Sequence, residues 1–196
     1  MIADRAEIRR GLAGALAILR REPGAMALFD LTADGFFRSF TAMLVAAPAY
    51  ALIVLGRISA EGSAVALPLT LLIEAIGYVI AWLAFPVAAG LVLHGLGQGR
   101  RLVPLVVAGN WAAVLQVGFV LVALLLAALL PGPTGAAVTT TATLAALAYQ
   151  WLVVRTALEA PGSVAAGFVL LDIVLSLLVN GATDRVLDWL AAPTAA

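Results

Sequence analysis

The chain has no cysteine, no lysine, a single histidine and few charged residues of either sign. Each shortage closes a class of function. Without cysteine there are no disulfides, no thiolate-held metals and no thiol chemistry. One histidine, His94, makes neither a bis-histidine haem site nor a zinc site, and it reads as an interfacial histidine rather than a pigment ligand. The eleven basic residues, all arginine, are balanced by eleven acids, so no basic field exists to hold nucleic acid. No Ser-His-Asp, paired-acid or metal-binding set falls on one face, so an enzyme is not expected, nor a resident cofactor. Gly95, Gly97 and Gly99 mimic a nucleotide loop but lack the strand that should precede one.

What is present is apolar. Hydrophobic residues make up 64% of the 196, and charged residues 11%. A soluble domain of this size exposes too much surface to hide that excess, so the solvent must be lipid. Arginine without lysine, alongside abundant alanine, suggests a GC-rich bacterial genome and hence a bacterial inner membrane. Arg9-Arg10, the run Gly11 to Leu19 and Ala25-Met26-Ala27 imitate a signal peptide, but Arg20, Arg21, Glu22 and Pro23 interrupt it. The segment is therefore read as retained.

A spanning helix needs about 20 mostly apolar residues. Five runs qualify: 36–56, 64–93, 102–130, 136–154 and 163–180. Short Gly-, Pro- or charge-rich breaks separate them, which predicts antiparallel neighbours in an all-α, polytopic membrane bundle of five transmembrane helices. Residues 1–35 form an amphipathic segment ahead of the transmembrane domain at 36–182, and residues 183–196 a short outer tail with Trp189 as its anchor. In the first segment Ile8, Leu12, Leu16 and Leu19 recur at helical spacing among Arg9, Arg10, Arg20 and Arg21. Such a helix either lies in the headgroup region with its arginines near lipid phosphates or packs on the end of the bundle. Asp34 is the expected cap of the first spanning helix. With the N-terminus inside, nine arginines fall on the inner side and only Arg57 and Arg185 outside, which predicts N-in, C-out.

Ionisable groups within the bilayer are costly, so each is a candidate for function. Asp172 lies near the middle of the fifth run, and reflection about the Pro161-Gly162 turn sets Gln150 level with it. The pair is either a proton or cation site or a polar clasp between helices, and Arg155 can reach inward toward it. Glu74 in the second run lies level with apolar Val122. Its partner must come from elsewhere, such as the threonines of the fourth run, or it reaches water through a kink at Pro68, or it forms a relay with Asp172. Asn110, Trp111 and Gln116 form a polar interlude that either lines a cavity or bonds between helices. Gly77/Ala81, Ala84/Ala88 and Ala142/Ala146 have the spacing of close-packing faces.

The link His94-Gly95-Leu96-Gly97-Gln98-Gly99-Arg100-Arg101-Leu102-Val103-Pro104, the stretch Ala148-Tyr149-Gln150-Trp151 to Ala157-Leu158, and Ala165-Ala166-Gly167 resemble bacterial YIP-type membrane proteins, relatives of the Rab-interacting Golgi proteins. The resemblance spans roughly residues 36 to 182 and implies a five-helix fold. Of the Asp-Leu-Tyr-Gly-Pro motif of the eukaryotic members only Asp30-Leu31 is present, so no trafficking role carries over. The leading expectation is a non-enzymatic scaffold, assembly factor or accessory subunit whose partners are membrane lipids and other membrane proteins or a second copy. The alternative is a transporter or channel component that uses Asp172, Glu74 and the patch from Asn110 to Gln116.

Overall fold

The computed structural model describes residues 2–192, and among them there is no strand. Helix α1 (Arg5–Leu19) is capped by Asp4, whose carboxylate accepts from the Glu7 amide at 2.7 Å. A single 3₁₀ turn, Ala25–Leu28, leads to α2 (Ala33–Ser39). Thr32, not Asp34, is the cap here: its side chain accepts from the Gly35 amide, and Asp34 sits in the first turn. Five long helices follow: α3 (Thr41–Glu61), α4 (Leu67–Gly95), α5 (Leu102–Ala128), α6 (Gly132–Leu158) and α7 (Gly162–Ala191). With α2 counted as the first turns of the α3 span, all five are long and apolar enough to cross a membrane. Their outward surfaces carry leucine, valine and isoleucine, as lipid requires. This is a multi-pass membrane protein.

The helices run alternately up and down, but sequence neighbours are not always spatial neighbours. Helix α5 lies against α3 and α6, and α7 lies against α6 and α4. The turn between α4 and α5 is tight because Gly97 adopts a left-handed conformation (φ 66°) that a side chain would resist. Beyond the turn, where Gly90 faces Leu102, α4 leans onto α7, and contact with α5 is sparse. Gly77 permits that lean, since a Cβ there would collide with the Thr183 hydroxyl. The result is a ring ordered α3, α5, α6, α7, α4.

At one end, here the near end, α1 takes the second of its two expected positions and packs on α5 and α6. Its buried face is made of small residues. Gly11 lies under the ring of Trp111, itself 2% exposed, and Gly14 lies under Phe29. Tyr149 Oη donates to the Ala15 carbonyl at 2.7 Å. Ile8 and Leu12 are half-buried, while Leu16, Leu19, Arg9, Arg10, Arg20 and Arg21 face outward. At the far end, residues 184–190 do not form a separate surface helix. They continue α7, because nothing between Asn180 and Asp184 breaks the helix and both Thr183 and Asp184 are tied to neighbouring helices. Trp189 is 75% exposed on the last turns.

Candidate functional site

The divergence of α4 from α5 leaves a cavity of about 320 Å³ lined by all five long helices. Small residues make the room: Ala81 on α4, and Gly109, Ala112 and Ala113 on α5. Asp172 opens into it from α7 and Gln150 from α6, with Ser176 and Asn180 one and two turns beyond Asp172 on the same face. Gln150 Nε2 donates to Asp172 Oδ2 at 2.6 Å. That is the one hydrogen bond Asp172 receives among the described residues, and its other oxygen is open to the cavity.

Asn110 and Gln116 line the same space. Their amide nitrogens are already used: Asn110 Nδ2 donates to Ser39 Oγ at 2.8 Å, and Gln116 Nε2 to the Ala146 carbonyl at 2.9 Å. Their carbonyl oxygens take no protein donor among the described residues. Aromatic side chains line the space as well. Tyr78, Trp82 and Phe85 come from α4, and Tyr50 from α3. Tyr50 stacks on Tyr78 with centroids 4.5 Å apart, and the Tyr78 hydroxyl donates to the Met43 carbonyl at 2.7 Å. No arginine, lysine or histidine lines the cavity.

Glu74 belongs to a different cluster. It is 5% exposed and paired with Arg57, which also reaches Asp184 at 3.4 Å, while Tyr50 Oη donates to Glu74 at 3.2 Å. The expected partners of Glu74 are thus corrected. Arg57 stands on a helix rather than in a loop, because α3 continues to Glu61, and one extra turn brings its guanidinium within reach. The threonines of α6 are engaged with their own helix instead: Thr139 donates to the Ala136 carbonyl and Thr143 to the Thr139 carbonyl. Pro68 lies in the first turn of α4, where proline causes no kink, so it opens no route to water. Glu74 and Asp172 do not touch, and Glu74 does not line the cavity, so there is no direct relay between them. Arg155 does not approach Asp172 either. It points outward with its guanidinium carbon 5.2 Å from the centre of the Trp151 ring, a cation–π contact. His94 is exposed on the last turn of α4.

A third polar cluster holds the near end together. Arg38 donates to Glu7 at 2.7 Å and to Asp30, joining α2 to α1 and to the segment between them. Asp30 also accepts from the Thr32 hydroxyl and amide. Those two bonds, more than Arg38, hold its carboxyl below the ordinary value of 3.8. Sequence reading passed over this cluster, and also over Tyr50, Tyr78, Ser176 and Asn180. For the last two the signal was available, since positions 172, 176 and 180 follow the helical repeat.

The chain matches no protein-family model, no curated protein and no solved structure. The site's chemistry therefore rests on its own geometry. Among the described residues no group of three or more His, Cys, Asp and Glu side chains lies close enough to hold a metal ion.

Proposed function

We propose that this protein binds a small positively charged species in its central cavity and carries it through the membrane, with Asp172 as the residue that holds the charge and Gln150 as the residue that orients Asp172. One observation carries the reading: a carboxylate oxygen opens into a cavity within the spanning bundle, and no basic side chain shares that cavity. An acid in that position is costly unless a proton or a cation completes it. The second reading is the scaffold, assembly factor or accessory subunit expected from small-residue faces, two interfacial helices and the lack of a catalytic set. Two of those faces already serve contacts within the chain, Gly77 against Thr183 and Ala142 buried in the bundle, and this favours the cation reading. The likeness to YIP-type proteins supplies a helix layout and no competing chemistry.

The test is flux. The full chain reconstituted into liposomes, with gradients of protons, of an alkali cation and of a small organic monocation imposed in turn, should show under at least one of them a charge movement, read by a potential-sensitive dye, that Asp172→Asn abolishes; flux that is equal in the variant under all three sinks the reading. For orientation we propose a bacterial inner membrane with the near end cytoplasmic, supported by the nine-to-two arginine bias toward that end. A periplasm-dependent reporter fused after Ala196 should be active, and an inactive one reverses the assignment.

A further inference from the structure

We infer that the ligand of the cavity is an organic monocation with an aromatic ring, held by the Asp172 carboxylate in a space that Tyr78, Trp82 and Phe85 also line; this rests on the cation-binding reading above. Three properties of the cavity select that class. The first is electrical. The one charged side chain that lines the space is Asp172, whose single hydrogen-bond partner among the described residues is the Gln150 amide, while Asn110, Gln116, Ser176 and Asn180 contribute neutral polar groups. A lining with a carboxylate and no cationic side chain attracts positive charge and repels anions.

The second is the aromatic lining. An aromatic face attracts a cation through its quadrupole, and the attraction grows where water is excluded, Trp being the strongest of the three residue types. Tyr78 and Trp82 are further fixed relative to one another, with centroids 6.0 Å apart at 67°. Rings already packed edge to face against each other lose little further freedom when a guest arrives.

The third is size. A proton needs no space, and an inorganic cation needs a close shell of several oxygens at short range. A cavity of about 320 Å³ is too large for either, and falls at the lower end of the range occupied by drug-sized organic ligands. One carboxylate neutralises one charge, so a monocation leaves the complex neutral within the bilayer, where any net charge is penalised.

The test uses the purified full chain in lipid nanodiscs with 1-methyl-4-phenylpyridinium as probe and its neutral isostere, 4-methylbiphenyl, as control. Saturable binding of the cation is expected, with the isostere bound at least about tenfold more weakly. Asp172→Asn should lose about tenfold or more, whereas Asp172→Glu, which keeps the charge, should retain binding and so rule out misfolding as the cause. Trp82→Leu should weaken the cation about tenfold through the lost ring face. Equal binding of cation and isostere, or cation binding unchanged in Asp172→Asn, overturns the inference. If the probe does not bind while Asp172-dependent flux persists in liposomes, the organic-cation assignment falls and the transport reading stands. Absence of both removes both.

Discussion

Glu74, buried, and Asp172, half-buried, are the two acids inside the spanning bundle, and the molecule treats them differently. Glu74 is answered in full: Arg57 supplies the opposite charge, Tyr50 adds a hydroxyl, and the pair is anchored to α7 through Asp184. Asp172 is answered in part, by one neutral amide. An acid whose charge is cancelled inside the protein fastens helices together. One whose charge is left over must take its counter-charge from elsewhere, and a cavity at its open oxygen is where that arrives. On the cation-binding reading proposed above, the difference between the two sites is one between structure and function, set by the presence or absence of a guanidinium.

The largest test of that contrast is stability. Arg57→Ala strands a buried carboxylate and should cost about 3 kcal/mol or more in reversible unfolding from mixed micelles. Asp172→Asn keeps a side chain of the same shape, and interhelical polar bonds in bilayers average about 0.6 kcal/mol, so its cost should stay below roughly 1 kcal/mol. Equal losses in the two variants would erase the distinction. A finer probe is Tyr50→Phe, which removes the hydroxyl on Glu74 while leaving the ring in the cavity wall. The loss should be about 1 kcal/mol, with cation binding retained; a binding defect matching that of Asp172→Asn would show the two clusters acting as one unit.

The smallest effect concerns pH at the near end, where another fully answered acid allows comparison. Asp30 has a folded value lowered from 3.8, chiefly by the Thr32 bonds. A lowered value means that the carboxylate stabilises the fold above pH 3.8, and that this contribution is lost as pH falls through the lower folded value. Unfolding followed from pH 5 downward should therefore reveal a modest decline that Asp30→Asn flattens. A decline of the same size and midpoint in the variant would assign it to other acids.

The fold was legible in the sequence to the extent that lipid enforces it. Twenty-residue apolar runs have one viable backbone solution in a membrane, and the five spans follow. The level pairing of Gln150 with Asp172 was legible too, because a short turn and a fixed rise per residue set depth along adjacent antiparallel helices. For Glu74 the same reasoning sent the partner to another helix, as Arg57 and Tyr50 on α3 bear out, but gave the wrong one. Reflection about a turn assumes that sequence neighbours stay together, and α4 leaves α5 for α7 once Gly77 admits Thr183. Arg57 was hidden by a boundary error of about one helical turn, the usual uncertainty of such ends. The near-end cluster was illegible for another reason: Glu7, Asp30 and Arg38 are brought together by α1 folding back on the bundle, which no local pattern encodes.

That folding back also orders events in time. Ala15 and Tyr149 are separated by 134 residues, yet they share a hydrogen bond. Helix α1 is made ahead of the Tyr149 surface it fits, which follows roughly 7–27 s later at 5–20 residues per second. During that wait Phe29 can already cover Gly14 and Arg38 can already reach Glu7, while the Ala15 carbonyl has no donor until Tyr149 is made. The seat of α1 is therefore filled in two stages, the nearer contacts well before the farther one.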